Sequence, residues 1–139
     1  MGRLTNKVAF VTGGASGLGK GIAQRFVEEG ATTIITDLNE LGHGVADELG
    51  AVFFSQDVCS EDGWVGVLEE VVRRYGRLDV LVNNAGIMAL PTYQTTEEGV
   101  EKQWGVNHLG HFRLTTGLMD TVMLQHDIPC LGNTNAITS

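Results

Sequence analysis

Short apolar runs alternate with amphipathic stretches along most of the chain, and this alternation restricts the fold more than any other feature of the sequence. Residues 7–12, the run Thr32-Thr33-Ile34-Ile35-Thr36-Asp37, the run Val52-Phe53-Phe54 and the run Leu78-Asp79-Val80-Leu81-Val82 have strand length and strand composition. The last is apolar enough for a strand covered on both faces. Between the runs, residues 17–29 place Leu18, Ile22, Ala23, Phe26 and Val27 on one side of a helix, and residues 40–49 do so with Leu41, Val45, Ala46 and Leu49. A third helix carries Trp64, Val67, Leu68, Val71, Val72 and Tyr75 at helical spacing, with Glu61, Asp62, Glu69, Glu70, Arg73 and Arg74 between them. Gly30, Gly50 and Gly76 stand where these helices should end. Residues 87–97 read as a loop broken by Pro91, and residues 98–125 as a helix bent near Gly105 or Gly110. Strands alternating with helices imply a parallel sheet with right-handed crossovers and helices on both faces. The expected fold is doubly wound α/β of the Rossmann type, in one domain spanning residues 1–139.

The first crossover is unusual in composition. Thr12-Gly13-Gly14-Ala15-Ser16-Gly17-Leu18-Gly19 links an apolar strand to a helix. Glycines there let the main chain approach a ligand closely, and the helix start offers N–H groups and a partial positive charge to a phosphate. Gly14 to Lys20 satisfies most of a nucleoside-triphosphate loop, but Gly21 stands where that loop needs a magnesium-binding hydroxyl. Asp37 closes the second strand about 20 residues after the glycines, the position from which a carboxylate accepts hydrogen bonds from a ribose diol. The expected ligand is therefore a dinucleotide. The same carboxylate repels a 2′-phosphate, which favours NAD over NADP.

Thr12-Gly-x-x-x-Gly17-x-Gly19 resembles the glycine signature of the short-chain dehydrogenase/reductases. Further motifs follow in the family's order. Asp57-Val58 resembles its adenine-contacting pair, Asn83-Asn84-Ala85-Gly86 its Asn-Asn-Ala-Gly motif, and Val106-Asn107-His108-Leu109-Gly110 the helix segment with its active-site asparagine. The resemblance implies cofactor contacts from Gly13, Ser16, Gly17, Leu18, Gly19, Asp37, Leu38, Asp57, Val58, Asn84, Ala85 and Gly86. It also implies a catalytic part for Asn107, which bends its helix and helps to hold a water in a proton relay. Laid over the family's fifth strand, Gly132 to Ser139 puts Ser139 at the catalytic serine. The implied chemistry is hydride transfer between a nicotinamide and a small carbonyl or secondary alcohol.

Family catalysis also depends on a Tyr-x-x-x-Lys pair, in which the lysine tunes the tyrosine as acid–base. Tyr75 is followed four positions later by Asp79, Tyr93 by Glu97, and no lysine follows Lys102. The chain thus looks like the cofactor-binding part of a dehydrogenase, ending after about the fifth strand and inactive alone. A homo-oligomer or pairing with a full-length relative is expected, since an incomplete sheet leaves an edge uncovered. The alternative is a non-catalytic NAD-binding or interaction module. A methyltransferase would share the glycine turn and the acid after strand two, but not Asn83 to Gly86.

Composition narrows the rest. A net charge of -8 argues against a nucleic-acid surface, and no run of about 18 apolar residues offers a membrane span. No signal-peptide pattern opens the chain, and Cys59 and Cys130 lack a Cys-x-x-Cys spacing, so reduced thiols in a cytoplasmic protein are expected. Cys59 reads as a small filler. His108 and His111 could share a helix face toward a metal, but no third ligand stands at a suitable spacing, and no metal is expected.

Overall fold

A computed structural model describes residues 2–87 and 90–122. Its strands are β1 (Val8–Thr12), β2 (Thr32–Asp37), β3 (Val52–Ser55) and β4 (Val80–Val82), all parallel, in the order β3-β2-β1-β4. The helices are α1 (Gly17–Glu28), α2 (Gly42–Leu49) and α3 (Glu61–Tyr75), followed by a continuous rod. That rod starts as α4 (Lys102–Trp104), widens into a π-helical segment (Gly105–Gly110) and continues as α5 (His111–Val122). The strand order reverses direction between β1 and β4, which makes the crevice outside their carboxyl ends the expected ligand position.

The period-two alternation of β1 divides the core into two layers. Val8 and Phe10 join Ile34, Leu81, Trp64, Leu68, Val71, Leu114 and Leu118 on the side of α3 and α5. Ala9 and Val11 join Ile35, Phe53, Val80, Val82, Ala23, Phe26 and Ala46 on the side of α1 and α2. Phe10, Ile34, Ile35 and Leu114 are completely buried, each contributing roughly 1.5–3 kcal/mol of transfer free energy. The doubly wound reading of the sequence is what the sheet and its two layers show.

Several local expectations need correction. Leu18 is 81 % exposed and Leu41 73 % exposed, so neither belongs to the apolar side assigned to it. Leu18 sits in the first turn of α1, above the sheet's carboxyl edge, and α2 begins only at Gly42. The last helix starts at Lys102 and not at residue 98, because Glu101 caps it, its carboxylate accepting from the amides of Gln103 and Trp104. The bend expected near Gly105 or Gly110 is a π segment spanning both. The fifth-strand overlay, Ser139 and Cys130 lie outside the described residues.

Leu78 and Asp79 precede β4 without joining it, and Asp79 anchors the sheet's opposite end. Its carboxylate accepts from the Val8 amide at 2.8 Å and from the Arg77 guanidinium, and faces Lys7. Burial opposes ionisation, but the hydrogen bonds from Arg77 and Val8, with the charges of Arg77 and Lys7, hold the carboxyl below its usual range. Asp79→Ala leaves the buried Val8 amide without its acceptor, and should cost about 1–3 kcal/mol in urea unfolding. Because the folded-state value is depressed, Asp79 stabilises the fold above its ordinary value near 3.8. The contribution is lost as pH falls through the folded value.

Candidate functional site

The glycine turn is packed closely enough at Gly13 and Gly19 to leave no space for a side chain at either position. Gly13 has φ of 66°, and a Cβ there would lie 2.7 Å from the Ala85 Cα. A Cβ on Gly19 would lie 2.1 Å from the Gly13 carbonyl oxygen and 2.6 Å from Asn84 Nδ2. The turn is also tied to β2, through Gly14 N–H to the Thr36 carbonyl at 3.0 Å and Ala15 N–H to Asp37 Oδ2 at 3.1 Å. Ser16 precedes α1 in extended conformation and makes no side-chain cap, and no acidic residue occupies the first turn. The start of α1 therefore carries no anion of its own.

Asp37 is brought directly to this turn. Its second oxygen accepts from the Asn39 amide at 3.0 Å, so both oxygens are oriented by backbone donors. Leu38 beside it is 66 % exposed, and with Leu18 it presents apolar surface on either side of the turn. The end of β3 lies alongside, with Gln56 N–H donating to the Asp37 carbonyl at 3.0 Å. Asp57 follows, exposed, with Oδ1 accepting from the Cys59 amide at 2.9 Å. Val58 is different: its side chain is buried, and its carbonyl sits under the π segment, 2.6 Å from where a Gly110 Cβ would be. The Val58 side chain is thus not available to a ligand.

On the other side of β1, the loop after β4 locks onto the turn. Asn84 Nδ2 donates to the carbonyls of Thr12 at 3.1 Å and Gly13 at 3.3 Å. The amides of Asn84 and Ala85 both donate to Thr12 Oγ1 at 2.9 Å. Asn83 Nδ2 donates to Thr115 Oγ1 of α5 at 2.9 Å. Asn107 completes the frame. Its Nδ2 donates to the Ile87 carbonyl at 2.6 Å, and its Oδ1 accepts from the Ile87 amide at 2.7 Å. A Cβ on Gly86 would come within 3.3 Å of that oxygen. Asn107 lies in the π segment, where the widened turn accommodates a residue that is a poor former of regular helix. Its carboxamide engages both backbone groups of Ile87, so its immediate part is to set the post-β4 loop.

Two residues escaped sequence reasoning. Thr12 was legible as the end of a strand and the first residue of the glycine signature, yet its hydroxyl is the junction of β1, the post-β4 loop and α5. His111 was singled out as half of a metal pair, but its Nε2 lies 2.9 Å from Thr12 Oγ1 and its ring is 6 % exposed. His108 faces elsewhere, its ring between those of Trp104 and Phe112, with centroids 5.5 and 6.3 Å away. Among the described residues no cluster of three His, Cys, Asp or Glu could hold a metal ion. Burial, then the Asp57 carboxylate, pushes the half-buried Cys59 thiol up to about 11, so it is protonated at neutral pH and no nucleophile. No helix among the described residues is long and apolar enough to cross a membrane.

The chain is similar to known proteins in sequence and fold. The short chain dehydrogenase family model matches residues 7–127. A cyclopentanol dehydrogenase of Comamonas testosteroni is 35% identical over 99% of this chain and 57% of its own length. An L-fucose dehydrogenase of Bos taurus is 42% identical over 81% of this chain and 43% of its own length. Among solved structures, a 3-ketoacyl-(acyl-carrier-protein) reductase from Brucella melitensis, complexed with NADH, superposes with a TM-score of 0.73 at 36% identity. That match covers 84% of this chain and 50% of the other. The ligand-free aldohexose dehydrogenase of Thermoplasma acidophilum gives a TM-score of 0.76 at 28% identity, over 93% of this chain and 49% of its own. The chain thus spans about half the length of the relatives it matches. With the glycine turn, the post-β4 asparagines and a family match over most of its residues, the chain belongs to the short chain dehydrogenase family.

Proposed function

We propose that this chain is the NAD-holding part of an oxidoreductase that moves hydride between a nicotinamide and a small carbonyl or secondary alcohol. The observation that carries the cofactor reading is Asp37, a carboxylate held against the glycine turn by the Ala15 amide. The residues present fit a dinucleotide. The uncapped start of α1 suits a pyrophosphate, the turn is packed too closely against Ala85 and the Gly13 carbonyl for a Cβ at Gly13 or Gly19, and Asp37 has the chemistry to accept from a ribose diol. Gly17, Leu18, Leu38, Asp57, the Val58 backbone, Asn84, Ala85 and Gly86 complete the proposed contact set. Bound there, the nicotinamide supplies the hydride chemistry, and the protein orients it.

NAD rather than NADP follows from charge. A 2′-phosphate would meet Asp37, and Lys20, the lysine of the turn, is drawn away by Glu48 at 2.8 Å. NADH is therefore expected to bind at least about tenfold more tightly than NADPH. Like charges about 4 Å apart repel by roughly 1 kcal/mol in water and roughly 4 kcal/mol near a protein surface, and about 1.4 kcal/mol is tenfold. Asp37→Ala should narrow that ratio, chiefly by weakening NADH. Titration of both nucleotides against both chains by quenching of protein fluorescence measures it.

The names of the matched relatives are those of dehydrogenases and reductases, which favours the oxidoreductase reading over an interaction module. These 139 residues contain no Tyr-x-x-x-Lys. The chain by itself is accordingly proposed to turn over no alcohol, with Asn107 positioned for catalysis only in a longer polypeptide. Alcohol-dependent reduction of NAD by the purified chain checks this. Turnover that Asn107→Ala abolishes would overturn the proposed inactivity.

A further inference from the structure

The geometry assigns His111 as a positioning residue of the dinucleotide site: its neutral ring takes the Thr12 hydroxyl proton and thereby keeps that oxygen free to hold the Asn84 and Ala85 amides. This rests on the dinucleotide reading above, because those amides belong to the loop packed against Gly13. The argument is one of counting. A hydroxyl has one proton and two lone pairs. Thr12 Oγ1 is completely buried and lies 2.9 Å from both amide nitrogens, which can only donate. They occupy its two lone pairs. Its proton has two acceptors within reach, His111 Nε2 at 2.9 Å and the Val82 carbonyl at 3.3 Å, and the ring is the nearer. Nε2 must then carry a lone pair. The ring's hydrogen bond to the backbone of Asn107, one turn earlier, is left to Nδ1–H.

Protonation would break this arrangement. A proton on Nε2 would aim a third donor at an oxygen that can accept two, and one contact would have to open. The nearby carbonyls of Thr12 and Gly13 are held by Asn84, so the disturbance falls on the turn itself. The groups that meet the ring from other elements are Thr12 of β1 and, through it, Val82, Asn84 and Ala85, none of them charged. From α3, the residues of the shared core are Trp64, Leu68 and Val71, also uncharged. Burial lowers the ring's affinity for a proton, the Asn107 carbonyl partly restores it, and no charged side chain acts on it. The folded-state value is thus depressed. The arrangement is intact above the ordinary histidine value near 6.5 and is lost only as pH falls further, through the depressed folded-state value.

The test uses the 139-residue chain, with NADH as the probe and ring ¹⁵N and amide NMR as a second readout. NADH affinity is expected to hold from about pH 7.5 down to the ordinary histidine value near 6.5 and to fall below it, as pH passes through the depressed folded-state value of His111. His111→Phe should bind about three- to tenfold more weakly at the upper pH, the value of one hydrogen bond, with a flatter pH profile. His111→Gln, which still offers an acceptor, should recover affinity while keeping the flat profile. In the parent, His111 should be the Nδ1–H tautomer, and the Asn84 and Ala85 amide signals should move with its titration. An Nε2–H tautomer at the upper pH, or amides indifferent to His111 protonation, overturns the assignment. Absence of NADH binding would instead remove the dinucleotide reading, and the NMR readout would still decide the part played by His111.

Discussion

Gly19→Ala is expected to abolish measurable NADH binding, while Gly21→Ala, two residues further along the same helix, leaves binding unchanged. The two substitutions add the same methyl group to α1. At Gly19 it would sit 2.1 Å from the Gly13 carbonyl oxygen, an atom fixed by the turn, and 2.6 Å from the Asn84 amide nitrogen that braces it. Neither neighbour is the free end of a flexible side chain, so the turn or the start of α1 must move. Overpacking of this kind costs about 1–3 kcal/mol of stability, and the displacement falls on the backbone that would face the pyrophosphate. At Gly21 nothing lies within 4 Å, and the methyl should stabilise α1 by about 0.5–1 kcal/mol through helix propensity. Urea unfolding separates the stability effects, and fluorescence titration with NADH gives the binding effect. A Gly19→Ala chain that binds like the parent would show that the close approach does not matter to the ligand.

Thr12→Val should be among the most destabilising conservative changes in the chain. Valine fills nearly the same volume in this completely buried position but offers no oxygen. The Asn84 and Ala85 amides lose their acceptor, and His111 Nε2 loses its donor. At about 1–3 kcal/mol for each buried group left unsatisfied, the loss should reach several kcal/mol. Thr12→Ser retains the oxygen and should recover most of it. A valine chain as stable in urea as the serine chain would mean that the hydroxyl is not what joins β1 to the post-β4 loop.

These two residues also mark where the sequence could and could not be read. Val8 to Val11 and Ile34-Ile35 announce buried strands, because continuous apolar runs belong to strands covered on both faces. Gly13 and Gly19 were legible as a close turn, and Asp37 as the acid ending β2, because their spacing reflects local backbone requirements. Asn84 was legible as part of an Asn-Asn-Ala-Gly motif, and in the structure it bonds to Thr12 and Gly13. What escaped was set by packing across the sheet. The bond from His111 to Thr12 joins residues 99 apart in the chain, and no periodicity reports it. Leu18 and Leu41 were placed inward because a helical pattern cannot tell an inward leucine from one at a helix start that overhangs the sheet edge. Val58 resembles half of a ligand-contacting pair, yet it is buried, and the π segment descends onto its carbonyl at Gly110. That segment was foreshadowed only by its flanking glycines.

The most direct test of the account is calorimetric titration of the purified 139-residue chain with NADH and, separately, with NADPH. The account predicts one site per chain, with NADH bound at least about tenfold more tightly than NADPH because Asp37 faces the ribose position. Binding of neither nucleotide, or tighter binding of NADPH, would contradict it.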